Sequence, residues 1–189
     1  MIVWLNGPFG AGKTTLAETL RERKPDLLLF DPEEVGFLVR KLLPPAQGGD
    51  YQDLPVWRGL TATALAEIRK HYRQDIIVPM TLVRPDYLDE LIGGLTRRGE
   101  DVLHVFLTLD EAVLRGRIER QTMSPDQARN EQIRDWRLAQ VDRCLSARDL
   151  MPDGTRFLDT GSHAPDVLAD RILEWLEPMR DGPSRQAGD

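Results

Sequence analysis

The chain has 189 residues, of which 31 are acidic and 25 are lysine or arginine, giving a formal net charge of −6. This length suits one domain with a substantial core. The negative charge argues against nucleic acid as the main partner, because binding a phosphate backbone requires a positive surface. Cys144 is the sole cysteine, which excludes an intramolecular disulfide, and no apolar run approaches the roughly 18 to 20 residues that cross a bilayer. We therefore expect a cytoplasmic protein without a transmembrane segment, a zinc site or a signal peptide.

The first predicted strand, residues 2–6, leads into the most informative segment of the chain. Residues 7–14 read Gly-Pro-Phe-Gly-Ala-Gly-Lys-Thr and match the P-loop pattern G-x-x-x-x-G-K-[ST], followed by a segment with the composition of a helix. Glycines in such a loop let backbone N–H groups turn toward a phosphate, and the helix N-terminus adds its positive dipole end. Lys13 can reach the β- and γ-phosphates, and the Thr14 hydroxyl can bind Mg²⁺.

A Gly-rich turn without a ligand is the alternative, but the strand before the loop and the helix after it favour a nucleoside triphosphate site with Mg²⁺. The predicted nucleotide-binding residues of this segment are Gly7, Pro8, Phe9, Gly10, Ala11, Gly12, Lys13, Thr14 and Thr15.

Strand-like and helix-like segments alternate along the rest of the chain. Further strands are predicted at residues 27–31, 75–80, 102–109 and 156–159. Five buried strands alternating with helices predict a three-layer αβα fold with a five-stranded parallel sheet and ligands at the carboxyl ends of the strands. We expect a single P-loop kinase-like domain over residues 1–177 with a helical lid, a loop over residues 44–55, and a flexible tail over residues 178–189.

Apolar residues at helical spacing predict three buried helix faces, and one cap is also legible. Ser124-Pro125-Asp126-Gln127 has the pattern of a capping box with proline at the first helical position. The three predicted stripes are Trp57, Leu60, Ala64, Leu65, Ile68 and Tyr72; Leu88, Leu91, Ile92 and Leu95; and Leu168, Ile172, Trp175 and Leu176.

Asp31 ends the second predicted strand on the same sheet edge as the P-loop. Its carboxylate could accept a proton from a substrate hydroxyl or join the Mg²⁺ shell. A helix N-cap, with Pro32 at the first position, explains it equally and is compatible with both roles. The third strand carries no Walker-B aspartate, so Asp31 is the carboxylate that we expect beside Thr14.

Arg115, Arg117 and Arg120 follow the fourth predicted strand. A helix there puts Arg117 and Arg120 on one face, where their guanidinium groups suit the lid of a small kinase and the charge of a transferring phosphoryl group. The alternative is a solvated basic face. This alternative is stronger for Arg115, whose predicted functional role is a contact with the nucleotide. For Arg143, a substrate contact and a surface ion pair are equally open.

Aromatic residues follow the second strand and recur in the predicted lid. Phe37, Tyr51 and Trp57 lie in the segment expected to cover an acceptor pocket, and Trp136 lies in the lid helix, so a nucleoside or sugar ring could stack on them. Trp57 also belongs to an apolar stripe, which favours burial. Residues 159–162, Asp-Thr-Gly-Ser, either border the nucleotide base or form a simple turn.

The chain resembles the ATP-binding tunicamycin-resistance proteins, a branch of the P-loop kinase-like superfamily, over residues 1 to about 150. The likeness lies in residues 4–7, 31–33, 36–37, 55–58, 77–81 and 85, and 140–144. It implies ATP binding, adenine as the base, and resistance to tunicamycin, a nucleoside antibiotic. It also implies that Trp57, Arg58, Pro79, Met80 and Thr81 belong to the ligand pocket. Some relatives are described as membrane-associated, so peripheral association stays open.

Two functions remain open from the sequence. One is a small-molecule kinase in which Lys13 and Mg²⁺ hold ATP, Asp31 activates the acceptor, and Arg117 and Arg120 stabilise the transition state. The other is a protein that binds and sequesters the drug when ATP is bound, without modifying it. An AAA+ motor is not expected, because 189 residues leave no room for its additional helical domain.

Overall fold

The computed structural model describes residues 1–44 and 50–180. Its sheet has five parallel strands in the order β2-β3-β1-β4-β5, so the predicted fold class is confirmed. The strands are β1 Ile2–Asn6, β2 Leu28–Leu29, β3 Ile76–Pro79, β4 Val102–Thr108 and β5 Arg156–Asp159. β2 is shorter than predicted and pairs with β3 alone, at the edge of the sheet.

Helices cover both faces of the sheet. They are α1 Lys13–Arg23, α2 Pro32–Leu42, α3 Pro55–His71, α4 Pro85–Leu88, α5 Gly94–Arg97, α6 Glu111–Arg120, α7 Gln127–Ala139, α8 Val141–Ser146 and α9 Pro165–Arg180. Short 3₁₀ turns lie at Tyr51–Asp53 and Ala147–Leu150, and a π-helical turn, Asp89–Gly93, joins α4 to α5. No helix among the described residues is both long and apolar enough to cross a membrane.

Alternate side chains of the strands belong to two hydrophobic cores, one on each side of the sheet. Val3 and Leu5 of β1 join the core that holds α1, α6 and α9, whereas Ile2 and Trp4 join the core that holds α3 and the α4–α5 segment. All these side chains are buried, as expected when a parallel sheet is covered on both faces. At the end of β1, Leu5 pairs with Pro79 of β3 and Asn6 pairs with Phe106 of β4. The P-loop therefore follows β1 at the carboxyl edge of the sheet.

The predicted helix faces agree with the structure in part. Leu88, Leu91, Ile92 and Leu95 are all buried. In α3 the predicted stripe was wrong at Leu60 and Tyr72, which are 41% and 55% exposed. Thr61 and Ala62 are buried instead, because the buried face of α3 is rotated relative to the stripe that includes Leu60.

Three predicted boundaries differ from the structure. The cap of α7 is Asp126, whose side chain accepts from the Arg129 amide, so the capping box at Ser124 was wrong by two residues. Of the predicted loop 44–55, residues 45–49 lie outside the described residues. The remainder includes the 3₁₀ turn Tyr51–Asp53, and α3 begins at Pro55. α9 runs to Arg180, beyond the expected domain end at residue 177, and the rest of the predicted tail, 181–189, lies outside the described residues.

Candidate functional site

The P-loop adopts a conformation that depends on two of its glycines. Gly7 has φ +134°, and a Cβ there would lie 2.8 Å from the carbonyl oxygen of Leu107, so a side chain at this position would collide with backbone. Gly12 has φ +96°, and a Cβ there would have no atom within 4 Å. Its backbone therefore borders open space in a conformation that favours glycine.

Lys13 begins α1, and no side chain caps the first turn of that helix. The Lys13 ammonium donates to the carbonyl oxygens of Gly7 and Pro8, at 3.0 and 2.8 Å. Burial lowers its pKa to about 8, which means that an anion beside it would be stabilised and would raise the pKa again. An uncapped helix N-terminus beside a half-buried ammonium is an anion-binding arrangement.

A central cleft of about 360 Å³ opens in front of the P-loop. Lys13 and Thr14 form one side of it, and Asp31 lies on another, at the start of α2. The three predicted residues at the end of β3, Pro79, Met80 and Thr81, also line the cleft, together with Phe9, Glu33, Gln121, Met123 and Arg137. The cleft thus combines a phosphate-type site with an arginine and three carboxylates, Glu18, Asp31 and Glu33.

A second cavity, the aromatic cavity, of about 480 Å³, adjoins the central cleft. Phe9, Glu33 and Arg137 line both spaces. The Phe9 and Trp136 rings meet edge to face, with centroids 5.0 Å apart. The other residues that line the aromatic cavity are Phe37, Arg40, Asp50, Tyr51, Gln52, Arg129, Gln132 and Ile133.

The flank cavity, of about 310 Å³, lies on the other side of the P-loop. It is lined by Gly10–Gly12 and by Arg117, Arg120, Thr160 and His163. The Arg117 guanidinium donates to the carbonyl oxygen of Thr160 at 2.6 Å and to its hydroxyl at 3.2 Å. Thr160, in the turn over residues 159–162, therefore borders this cavity.

The predicted catalytic arginines lie in this flank cavity, whereas Arg137 lies in the central cleft. α6 packs Leu114 and Ile118 toward Gly10, and this contact directs Arg117 toward the 159–162 turn. Arg137 comes instead from α7, where it donates to the Gln121 side chain at 2.7 Å. Burial lowers the pKa of Arg137, and the charge of Glu33 opposes that shift.

Two carboxylates approach the P-loop from the N-terminus of α2. Asp31 is the N-cap, accepting from the Glu33 amide at 2.9 Å, so the predicted cap is confirmed. Burial and the neighbouring Asp31 raise the pKa of Glu33, while Arg137, Lys13 and Arg40 lower it. Within the described ranges, 1–44 and 50–180, no group of three His, Cys, Asp or Glu side chains could hold a metal ion. Thr14 and Asp31 both line the central cleft, which fits a cation held largely by phosphates.

Four predicted ligand residues lie away from the three cavities. Trp57 is fully buried and donates from Nε1 to the Pro32 carbonyl oxygen, so it supports α2 from the core. Arg58 is buried against Glu90 and Tyr87. Their predicted place in the pocket was wrong, because α3 turns both side chains toward the sheet and the α4–α5 segment.

Arg115 and Arg143 are also displaced from their predicted contacts. Arg115 forms ion pairs with Glu111 and Asp142, at 2.7 and 2.8 Å, which matches the surface alternative. Arg143 is exposed on α8. Its charge opposes the burial that raises the pKa of Asp50.

Comparison with known proteins identifies the family. The family model described as AAA domain matches residues 2–142. The chain belongs to this family of P-loop kinase-like domains. It is similar to the tunicamycin resistance protein of Deinococcus radiodurans, with 30% identity, a TM-score of 0.68, and coverage of 93% of this chain and 94% of that chain. The family resemblance predicted from the residues is therefore confirmed.

More distant relatives of this P-loop kinase-like domain share its fold. A sugar kinase from Janibacter sp. is 22% identical, with a TM-score of 0.59 over 93% of this chain and 94% of that one. A shikimate kinase from Bacteroides thetaiotaomicron is 19% identical, with a TM-score of 0.53 over 94% and 98%. No curated protein sequence matches the chain significantly.

Sequence reasoning missed several residues that the kinase-like fold brings to the cavities. Glu33, Arg137, Asp50 and Gln52 are not among the site residues that the sequence predicts. Arg137 follows Trp136 in the predicted lid helix, and this adjacent aromatic residue is a sequence signal for the site. Asp50 and Gln52 carried no such signal, because they follow a Gly- and Pro-rich segment without periodicity.

Proposed function

We propose that the chain is an ATP-dependent phosphotransferase that moves the γ-phosphoryl group of ATP to a hydroxyl group of a nucleoside-type small molecule. One observation carries this proposal: the cleft in front of Lys13 adjoins a second cavity, and Phe9, Glu33 and Arg137 line both. A donor site joined to an acceptor-sized cavity is what group transfer requires, because the reacting groups must be held together. A protein that only sequesters a drug has no need of this junction.

The donor occupies the P-loop side in this proposal. The uncapped first turn of α1 and the Lys13 ammonium bind the β- and γ-phosphates. The base and ribose extend toward the flank cavity, which shares Gly10 and Gly12 with the central cleft. Arg117 and Arg120 then contact the nucleotide rather than the transferring group.

Thr14 and Asp31 would hold Mg²⁺ beside the phosphates. When bound, the ion neutralises charge that develops on the phosphate oxygens. Arg137 supplies the protein's own positive charge at the junction of the two cavities, where a guanidinium can stabilise the transferring group. The acceptor hydroxyl oxygen bonds to the γ-phosphorus while the bond from that phosphorus to the β–γ bridging oxygen breaks and ADP leaves. The hydroxyl proton passes to Asp31 or Glu33, which both line the cleft.

The walls of the aromatic cavity support a ring-containing, hydroxyl-bearing acceptor. Phe37 and Tyr51 line it from the side of α2, and Phe9 and Trp136 line it from the P-loop and α7. Such side chains stack on planar rings. Glu33, Asp50, Arg40 and Arg129 add hydrogen-bonding groups of both charges. The likeness to the Deinococcus radiodurans tunicamycin resistance protein makes tunicamycin the first acceptor to test.

The test is to incubate the protein with ATP, Mg²⁺ and tunicamycin and to record the mass spectrum of the drug. We expect a gain of one phosphoryl mass that disappears in K13A. K70A is the matched control, because Lys70 is an exposed lysine on α3, and it should retain transfer. Unmodified drug that binds tightly in the presence of ATP would instead establish sequestration.

A further inference from the structure

The wall of the aromatic cavity formed by Asp50, Tyr51 and Gln52 is attached to the P-loop region by a buried side chain. Gln52 is 8% exposed, and its Nε2 donates to the carbonyl oxygen of Thr81 at 3.0 Å. Its backbone amide donates to the Asp50 carboxylate at 3.0 Å. The position of this wall is therefore tied to the segment that follows β3.

Thr81 continues the connection to the P-loop itself. Its side chain is buried, and its hydroxyl donates to the carbonyl oxygen of Gly7 at 2.8 Å. Lys13 donates to that same oxygen at 3.0 Å. Two hydrogen bonds, from Gln52 to Thr81 and from Thr81 to Gly7, thus connect the wall formed by Asp50, Tyr51 and Gln52 to an oxygen that Lys13 contacts. We call this wall the acceptor wall.

Both ends of this connection are held in place. Asn6 accepts the Gly7 and Leu82 amides on one side-chain oxygen, at 2.7 and 2.8 Å. At the other end, Arg58 donates to the Gln52 carbonyl oxygen and is paired with Glu90. Buried, mutually satisfied polar networks of this kind fix geometry, because each broken bond leaves a polar group without a partner.

We infer that Gln52 and Thr81 are positioning residues that couple triphosphate binding at the P-loop to the order of the acceptor wall. The inference rests on the proposed function, since it takes the P-loop as the donor site. When phosphates bind, the Lys13 ammonium contacts them and gives up its hydrogen bond to the Gly7 carbonyl oxygen. The Thr81 hydroxyl keeps its hydrogen bond to that oxygen. The acceptor wall, formed by Asp50, Tyr51 and Gln52, is then held more firmly through the Gln52 side chain. By thermodynamic linkage, ordering of the wall raises the affinity for the nucleotide by the same factor by which the nucleotide favours the ordered wall.

The experiment is amide hydrogen exchange of residues 50–54 in the full chain, with and without Mg²⁺ and a non-hydrolysable ATP analogue. In the wild-type protein the analogue should slow exchange of this segment about fivefold or more. Q52L cuts the connection at the wall. By the same linkage it should bind the analogue more weakly, by up to about fivefold, and it should show no slowing.

Thr81 provides an independent test by removal and restoration of one hydroxyl. T81V should lose the slowing and bind the analogue about five- to tenfold more weakly, because the Gly7 carbonyl oxygen then lacks its donor when Lys13 contacts phosphate. T81S should restore both properties. The matched control is T61V, since Thr61 is equally buried but its hydroxyl has no hydrogen-bond partner in the described part of the chain.

Each outcome decides between the possibilities. Loss of slowing in Q52L and T81V, with recovery in T81S, supports the coupling. Unchanged slowing in either Q52L or T81V overturns it, as does a wild-type protein that binds the analogue without any slowing at residues 50–54. A wild-type protein that does not bind the analogue refutes the proposed donor site, and the coupling with it.

Discussion

Two arginines near the P-loop occupy different surroundings, and these predict different roles. Arg117 is bonded to Thr160 beside the flank cavity. Arg137 lies where the central cleft meets the aromatic cavity, with its guanidinium carbon 5.7 Å from the centroid of the Phe9 ring. A cation next to the transferring group acts on the rate, whereas one beside the nucleotide acts on binding.

We expect R137Q to lower the rate of phosphoryl transfer about 10²- to 10³-fold, with little change in ATP affinity. R117Q should instead weaken ATP binding about tenfold, because a charge-assisted contact is lost, with a smaller effect on the rate at saturating ATP. Steady-state kinetics and equilibrium binding of ATP measure the two effects separately. Equal effects of both substitutions on the rate would contradict the assignment.

At the scale of the element, the N-terminus of α2 combines a structural role with a chemical one. Asp31 caps the helix and lines the central cleft. Asparagine caps a helix about as well as aspartate, whereas alanine does not. The two roles can therefore be separated by comparing two substitutions at one position.

D31N should keep the free energy of unfolding of the wild-type protein, while D31A should lose about 1 kcal/mol of it. Both should lose Mg²⁺-dependent phosphoryl transfer, because neither retains the carboxylate that the proposed mechanism uses. Urea denaturation and the transfer assay provide the two measurements. Turnover retained in a well-folded D31N protein would remove Asp31 from the mechanism.

Local signals account for what could be predicted of the fold and the site. The strands and the P-loop show as short apolar runs and a fixed glycine spacing, which depend on neighbouring residues alone. The place of Gln52 depends on a contact with Thr81, 29 residues away in sequence, and no local pattern indicates it. Trp57 illustrates the limit of resemblance: its apolar stripe predicted burial correctly, whereas the family likeness suggested a ligand contact that the structure contradicts.

At the scale of the whole molecule, a series of hydrogen bonds runs from buried Asn6, beside the P-loop, through buried His104 to half-buried Thr155, in the segment before β5. Asn6 uses its oxygen for two backbone amides, so its Nδ2 faces His104 Nε2 at 3.1 Å as a donor. His104 must then carry its proton on Nδ1, which donates to the Thr155 hydroxyl at 2.9 Å. Thr155 in turn donates to the Pro152 carbonyl oxygen. The series is satisfied when His104 is neutral.

Protonation of His104 would place an N–H on Nε2 against the amide donor of Asn6. Burial lowers the pKa of His104 from 6.5 to about 4 in the folded protein. Because the unfolded chain binds the proton more readily, the contribution of neutral His104 is fully present above pH 6.5 and is lost as the pH falls toward 4. The loss between pH 7 and pH 5 is on the order of 2 kcal/mol.

We therefore expect the free energy of unfolding to decrease between pH 7 and pH 5 by about 2 kcal/mol more in the wild-type protein than in H104Q, which cannot titrate. H71Q, which replaces the exposed histidine at the end of α3, is the control substitution. Urea denaturation at a series of pH values measures the slopes. Since β1 leads into the P-loop through Asn6, acid should also weaken ATP binding in the wild type more than in H104Q. Parallel slopes for the wild type and H104Q would show that His104 does not carry the acid sensitivity of this fold.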